Sequence, residues 1–254
     1  MTGAGNNTYL LAAGGSATLI DAGVGEPRHL DELAAALSAA GARLDRVLVT
    51  HGHHDHAGGA PAIASRHPSA VFTKRPWPGV DEATVRWEQM EEGERVVAGG
   101  EPLVALHTPG HSPDHLSFWH EPSRTLFSGD LVVLGGSVMI HTSRGGNLSQ
   151  YLATLERLIA LDANALLPAH GPRIDDPAAV LRAYLEHRRM RERQVIEALR
   201  TGREHEQAIA ESIYDGLDPA LMPAARENVR AHLEKLEADG AATRDADRWR
   251  LAHG

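Results

Sequence analysis

The chain reads Thr50-His51-Gly52-His53-His54-Asp55-His56-Ala57-Gly58-Gly59 directly after the apolar run Val47-Leu48-Val49. Such a run predicts a buried strand, so the histidines stand where the strand reaches the surface. Alternate side chains of an extended segment share a face, and His51 and His53 can therefore bind one ion together. A turn toward the next helix would direct Asp55 and His56 at a second ion. Imidazole and carboxylate without thiolate suit zinc, manganese or iron better than calcium or magnesium.

A surface histidine tract or a cloning tag is the alternative explanation of this stretch. A tag lies at a terminus and follows no strand, whereas this run is internal and precedes the pair Gly58-Gly59. The sequence therefore favours a metal-binding loop. His54 occupies the spacer position that faces away from its neighbours, and we expect it to be exposed or to lie behind the ligands.

The composition is that of a globular chain. Its 254 residues, 42% of them hydrophobic, suffice for one large domain or for a medium domain with a small appendage. Up to Asp175, 19 acidic residues stand against 12 basic ones, and 15 stand against 13 beyond it, so neither part has the basic excess of a duplex-DNA binder. The absence of cysteine excludes disulfides, iron-sulfur clusters and a thiol nucleophile. Without a membrane-length apolar run or an export signal, we expect a cytoplasmic protein that does not enter membranes.

Strand and helix patterns alternate through the first part of the chain. Residues 8–11 and 17–20 predict two strands paired across Gly14-Gly15, and leucines at helical spacing predict a helix that ends at Gly41. Further strands are predicted at 46–50, 70–73, 96–97, 103–107, 116–119 and 125–127, with helices over 59–66 and 148–159. These patterns predict two half-sheets with outer helices.

From Pro177 the sequence changes to long helical patterns rich in Arg and Glu. One or two helices are predicted up to Gly202, then two more over 204–214 and 219–238, and a small hairpin over 241–251. Two helices followed by a two-stranded wing outline a winged helix. We therefore expect a first domain over residues 1–175 and a winged-helix-like domain over 176–254.

Three further residues with ligand chemistry follow apolar or strand-like segments. They are His111 in Thr-Pro-Gly-His-Ser-Pro, Asp130 in Phe-Ser-Gly-Asp and His170 in Pro-Ala-His-Gly. Each has an ordinary explanation on its own, since Asp after Gly is a common turn residue and a single His is often a surface or core residue. Their joint occurrence in this order after residues 50–59 makes coincidence improbable.

This set of motifs resembles the metallo-β-lactamase superfamily of dinuclear metallohydrolases over nearly all of the first 175 residues. The resemblance implies an α/β fold, a four-layer αβ/βα sandwich, with two zinc ions or with manganese or iron in their place. The implied ligands are His51, His53 and His111 for one ion, Asp55, His56 and His170 for the other, and Asp130 as the bridge between them. A flavodiiron-type oxidoreductase would have Glu in place of His53, so hydrolysis is favoured over redox chemistry.

The charges of such a centre predict its chemistry. Two dications about 3.5 to 4 Å apart lower the pKa of a shared water from near 16 toward 7 and provide a metal-bridging hydroxide as nucleophile. The centre keeps a charge of about +1, which attracts an anion and stabilises charge on a phosphoryl or carbonyl oxygen. Asp55 and His115 are the predicted catalytic residues. For His115, a role in orienting a ligand or a strand is as well supported as proton transfer.

Finer features resemble the subgroup that contains the endoribonuclease beta-lactamase-like protein two. They are His115 four residues after His111, the Gly135-Gly136-Ser137 that follows Asp130, and Tyr184-x-x-His187-Arg188 at the start of the winged-helix outline. The resemblance implies a hydrolase of RNA phosphodiesters that acts on single-stranded RNA. We expect no duplex-DNA binding, and the chain could form a homodimer.

Other functions stay open. A thioester hydrolase of the glyoxalase II or carrier-protein type would use the same hydroxide on a carbonyl, although no basic glutathione site is obvious. Promiscuous β-lactamase activity shares the metal motif, but the missing export signal and the additional C-terminal domain count against it as the main role. A winged-helix DNA regulator with a degenerate enzyme domain would be free to lose ligands, and here they are complete.

Two charged segments have roles that the sequence leaves open. His141 and Arg144 lie close to the expected mouth of the site, where they contact a substrate anion or belong to a solvated loop. Glu186, Glu192 and Glu197 interleave with the arginines of residues 188–193. This pattern predicts a helix face of ion pairs rather than a nucleic-acid surface.

Overall fold

The computed structural model describes residues 5–79 and 85–252 of the chain. They form two compact units. The first unit comprises the described residues up to 108 together with 114–136 and 161–178, and the second comprises 109–113, 137–160 and the described residues from 179 onward. The domain boundary between residues 175 and 176 stays a prediction.

The first sheet of the first unit has five strands. They are β1 Tyr9–Ala13, β2 Ser16–Ile20, β3 Arg43–Leu48, β4 Val71–Lys74 and β5 Trp87–Gln89, and they lie in this order across the sheet. β1 and β2 form an antiparallel hairpin across Gly14 and Gly15, both of which have the positive φ that such a turn favours. β3 runs parallel to β2, and the apolar residues of both strands are buried, as in sheets covered on both faces.

The second sheet of the first unit also has five strands. They are β6 Arg95–Ala98, β7 Glu101–His107, β8 Leu116–His120, β9 Thr125–Gly129 and β10 Ala165–Pro168. Their order across the sheet is β10-β9-β8-β7-β6, and all neighbours are antiparallel except the parallel pair β9 and β10. This pair places two carboxyl ends at the same edge of the sheet.

Apolar side chains from both sheets form a shared core. It contains Ile20 and Leu48 of the first sheet with Leu103, Phe118 and Phe127 of the second. A further core joins the first sheet to two helices, α1 Pro27–Ala39 and α3 Ala60–Arg66. The leucines of α1 recur on one helical face, which explains why this face packs on the sheet.

The second unit contains most of the helices. They are α4 Leu148–Leu161, α5 Pro177–Arg200, α6 Glu206–Ile213 and α7 Met222–Ala238, and the strands β11 Ala242–Asp245 and β12 Arg248–Leu251 follow as an antiparallel hairpin. Apolar residues of α5, α6 and α7 pack with the fully buried Trp249 of the hairpin. Two helices and a two-stranded wing around one core form the predicted winged helix.

Most of the predicted elements are confirmed, including the first hairpin, the strand before the histidines and the helix over 148–159. The segment predicted as one or two helices forms a single helix, α5. Strand β5 was not predicted, because its sequence is polar and has no strand pattern. It forms a strand through its pairing with β4. Within residues 5–79 and 85–252, no helix has the length and apolar character that would let it cross a membrane.

Candidate metal centre

The carboxyl ends of four strands carry the polar residues of the centre. β2 is followed by Asp21, β3 leads to His51, β9 is followed by Asp130, and β10 leads to His170. β2 pairs in parallel with β3, and β9 pairs in parallel with β10. Each pair therefore delivers its polar residues to one edge of its sheet.

The histidine loop is extended at first and then turns into the short helix α2 His54–Ala57. His51 Nε2 lies 2.8 Å from His53 Nδ1, so two ring nitrogens converge in the extended part. The first turn of α2 presents Asp55 and the buried His56. His54 is exposed, as predicted.

Side chains from three segments of the first unit converge near α2. His170 Nε2 lies 3.3 Å from Asp55 Oδ2 and 3.3 Å from Asp130 Oδ1. His56 Nε2 lies 3.5 Å from Asp130 Oδ1 and 3.7 Å from Asp55 Oδ2. Ligand atoms of Asp55, His56 and His170 lie within 4.8 Å of one another, and the same holds for His51, His56 and Asp130. Asp130 thus contacts both groups of ligand atoms.

These distances fit a small divalent cation. Ligand atoms placed tetrahedrally around zinc at about 2.0 to 2.2 Å are separated by about 3.3 to 3.6 Å, close to the spacing of the four side chains above. A second observation comes from His56, whose buried Nε2 faces two carboxylates and makes no hydrogen bond to any described residue. Buried polar atoms normally have a partner. The residues present therefore fit a bound metal ion.

Neighbouring groups hold the Nδ1 atom of four predicted histidine ligands. His51 Nδ1 lies 3.1 Å from Thr50 Oγ1, and His56 Nδ1 lies 2.9 Å from the Asp21 carboxylate. His170 Nδ1 donates to the Gly5 carbonyl at 2.9 Å, and His111 Nδ1 donates to the Met139 carbonyl at 3.1 Å. An imidazole fixed in this way keeps its Nε2 lone pair for a metal ion. His111 and Met139 both belong to the second unit.

Asp21 is a residue of the centre that the sequence motifs do not identify. Its buried carboxylate accepts hydrogen bonds from Thr50 N at 2.8 Å, from Thr50 Oγ1 at 3.0 Å and from His56 Nδ1 at 2.9 Å. One carboxylate therefore fixes the backbone before His51 and also orients His56. An acidic residue directly after a buried strand, as at Asp130, is the signal that could have identified it.

The charges of the centre are strongly coupled. Burial lowers the pKa of His56, but Asp21 and Asp130 outweigh burial and raise this pKa well above its usual value. Hydrogen bonding with Asp130 and Asp55 raises the pKa of His170 to about 10. Burial raises the pKa of Asp130, but His56 and His170 outweigh it and hold this pKa well below its usual range. A metal ion must displace protons from these imidazoles, so its binding competes with acid.

His115, predicted to be catalytic, is fully buried. The Asp130 N–H donates to His115 Nε2 at 3.1 Å, which leaves the His115 proton on Nδ1 to be donated to Thr108 Oγ1 at 2.8 Å. His115 Nε2 thereby holds the backbone at Asp130, and the bond from Nδ1 to Thr108 fixes the orientation of the ring. Of the two roles considered for His115, this placement fits the orienting one.

A buried ion pair that the sequence did not reveal supports the histidine loop. Lys74 Nζ lies 3.2 Å from Asp114 Oδ2, and the two side chains are 1% and 0% exposed. The same Oδ2 accepts a hydrogen bond from Gly52 N at 2.8 Å. The pair is therefore attached to the backbone between His51 and His53.

Three further residues have candidate substrate roles. In the first unit, the half-buried Trp77 ring lies 5.9 Å from the His53 ring, with the planes at 58°. In the second unit, His141 and Arg144 flank Thr142 and Ser143, and Thr142 Oγ1 donates to Glu234 Oε1 at 3.3 Å. The predicted contact of His141 or Arg144 with a substrate anion stays a prediction.

Comparison with known proteins relates both parts of the sequence to families. Residues 1–170 match the Metallo-beta-lactamase superfamily, and residues 206–249 match the Beta-lactamase associated winged helix domain. The Beta-lactamase-like protein 2 homolog of Caenorhabditis elegans is 32% identical over 249 residues, which cover 93% of this chain and 80% of that protein. The Atrochrysone carboxyl ACP thioesterase of Aspergillus chevalieri is 34% identical over 203 residues, which cover 79% of this chain and 62% of the relative.

A solved structure supports the same relationship at the level of the fold. The metallo-beta-lactamase family protein of Thermus thermophilus is similar with a TM-score of 0.80 at 22% identity, covering 97% of this chain and 93% of that one. The predicted α/β fold with a small helical winged-helix domain is thereby confirmed. The chain belongs to the metallo-beta-lactamase superfamily of metal-dependent hydrolases and carries the beta-lactamase associated winged helix domain.

Proposed function

We propose that the protein is a dinuclear zinc hydrolase that cleaves the phosphodiesters of single-stranded RNA. The observation that carries the proposal is the convergence of Asp55, His56, Asp130 and His170 at distances of 3.3 to 3.7 Å. The likeness to the Beta-lactamase-like protein 2 homolog covers 93% of the chain, so it reaches into the winged-helix region and agrees with the subgroup resemblance that implies RNA hydrolysis. A cytoplasmic location is part of the proposal and can be tested by cell fractionation.

The proposed ligand set follows the sequence motifs. His51, His53 and His111 would hold one ion, Asp55, His56 and His170 the other, and Asp130 would be shared. Imidazole and carboxylate ligands suit zinc, with manganese and iron as alternatives. Two divalent ions, when bound, supply a hydroxide nucleophile at neutral pH.

Residues of the chain would bind the substrate and keep the centre rigid. Asp55 and Asp130 offset only part of the charge that two divalent ions bring, so an anionic phosphodiester is attracted. Asp21 and His115 fix the groups around His56 and Asp130, which limits their reorientation as charge develops. The Trp77 ring beside His53 offers an aromatic face on which a nucleobase can stack.

A thioester hydrolase is the second candidate, and one relative favours it. The similar protein from Aspergillus chevalieri is named as a carboxyl ACP thioesterase. That match covers 79% of the chain, less than the 93% covered by the Beta-lactamase-like protein 2 homolog. A thioester carbonyl would meet the same ligands, so a direct comparison of substrates must decide.

The test uses the purified full chain with its metal content measured. Single-stranded RNA, an acyl carrier protein thioester and a β-lactam are offered at matched concentrations. We expect RNA cleavage that is lost with a chelator and in Asp55→Ala, and that persists in Asp31→Ala, which changes an exposed aspartate of α1. Intact RNA beside rapid thioester cleavage would move the assignment to the thioesterase. Chelator-resistant cleavage by Asp55→Ala would remove the metal mechanism.

A further inference from the structure

Arg188 is a buried cation in the second unit. Its side chain lies on α5 and is 2% exposed. Its partners within the described part of the chain are neutral groups. A buried charge without a counterion is costly, and an apolar residue of similar size would often be more stable in its place. The position of Arg188 therefore requires an explanation other than stability.

The guanidinium of Arg188 joins three segments of the second unit. Its Nη1 donates to Asn228 Oδ1 of α7 at 2.8 Å. Its Nη2 donates to the Val138 carbonyl in the loop before α4. Its central carbon lies 5.4 Å from the ring centre of Tyr151 in α4. Two of these contacts lead to His111.

The loop that contains Val138 is one support of His111. The His111 Nδ1–H donates to the Met139 carbonyl at 3.1 Å. Val138, whose carbonyl accepts from Arg188, directly precedes Met139 in the chain. Loss of the Arg188 bond would therefore release the peptide next to the acceptor of His111.

Helix α4 is the other support of His111. Gly110 has φ of 130°, and a Cβ at this position would lie only 2.3 Å from Tyr151 Cα. On the same side, Thr154 Oγ1 donates to the Pro109 carbonyl at 2.8 Å. The residues just before His111 are thus packed against the helix that carries the Tyr151 ring. One guanidinium contacts both supports.

We propose that Arg188 is a positioning residue that holds His111 ready to bind metal. The inference rests on the proposed function only in taking His111 as a metal ligand. By fixing the peptide between Val138 and Met139, Arg188 keeps the His111 proton on Nδ1 and the Nε2 lone pair available. Groups behind a metal ligand typically change metal affinity by about 10- to 100-fold.

The test measures zinc binding by the full chain without substrate, in competition with a chromophoric chelator that resolves two affinities. In Arg188→Met we expect one affinity to fall by about 10- to 100-fold while the other is unchanged. Arg188→Lys keeps one donor for the Val138 carbonyl and should lose less. Arg191→Met is the matched control, since Arg191 lies on the same helix but contacts Tyr214 and Gln194. It should leave both affinities unchanged.

Two results would overturn the positioning role of Arg188. They are unchanged affinities in Arg188→Met and an equal fall for both ions, which is the result of a merely structural role. If Arg188→Met fails to fold by circular dichroism, Asn228→Ala replaces it, because it removes one partner of the guanidinium. A selective loss of one zinc affinity in Asn228→Ala supports the role, and unchanged affinities overturn it.

Failure of the proposed function is separate from failure of the positioning role. A wild-type chain that binds two ions but leaves RNA intact refutes only RNA hydrolysis.

Discussion

Removing one member of the buried pair Lys74 and Asp114 should destabilise the first unit strongly. Both side chains are almost completely excluded from water, at 1% and 0% exposure, so solvent cannot replace a missing partner. Breaking a buried ion pair costs about 3 to 5 kcal/mol. We expect Lys74→Met to lower the free energy of unfolding of the metal-free chain by this amount, measured in urea.

A double-mutant cycle separates the charge interaction from packing. Asp114→Asn keeps an acceptor for Gly52 N–H but leaves Lys74 without its carboxylate, so a loss similar to that in Lys74→Met is expected. The double variant with Lys74→Met and Asp114→Asn buries neither charge. Its loss of unfolding free energy should be smaller than the sum of the two single losses by at least about 2 kcal/mol. The exposed pair Arg28 and Glu32 is the control, and its cycle should show a coupling of less than about 1 kcal/mol.

Additive losses would refute this reasoning. If the two single losses sum to that of the double variant within about 0.5 kcal/mol, the charges do not interact and the effect lies in packing alone. The cycle also bears on the centre, because Gly52 lies between His51 and His53. Zinc affinity should fall together with stability in Asp114→Ala, which removes the acceptor of Gly52 N–H.

Three further changes test other parts of the first unit. Asp21→Asn should weaken zinc binding by about 10- to 100-fold in chelator competition, because an amide nitrogen facing His56 Nδ1 would move the His56 proton to Nε2. Gly59→Ala should lower the calorimetric melting temperature, because its Cβ would lie 2.1 Å from the Ala22 carbonyl oxygen. Trp77→Ala should raise KM for RNA about tenfold with little change in kcat, since stacking of a base contributes about 1 to 3 kcal/mol, and an unchanged KM would exclude stacking on this ring.

The sequence predicts those parts of the centre that depend on neighbours along the chain. His51 and His53 are recognised from period-two spacing after an apolar strand. Asp114 is different, because its partner Gly52 lies 62 residues away and only the packing of the two sheets around their shared core brings them together. Asp21 reaches Thr50 across 29 residues because β2 pairs with β3. Buried polar groups that hold ligands from behind have no local spacing, so their sequence signal is weak.

Arg188 shows how a run of charges can contain a buried position. The ion pairs predicted with the interleaved glutamates are confirmed for Arg193, which pairs with Glu186, while the exposed Arg189 pairs with Glu156 of α4. The prediction is wrong for Arg188, which is buried among neutral partners.

The helical period explains this difference between neighbouring arginines. Arg188 follows the buried Leu181, Tyr184 and Leu185 by seven, four and three residues, so it lies on the apolar face of α5. One residue further along, the helix has turned by about 100°, which carries Arg189 to solvent. A charge on an apolar stripe must be accounted for by the groups that it contacts. For Arg188 those groups lead to His111, and the selective loss of one zinc affinity in Arg188→Met is the result that connects them.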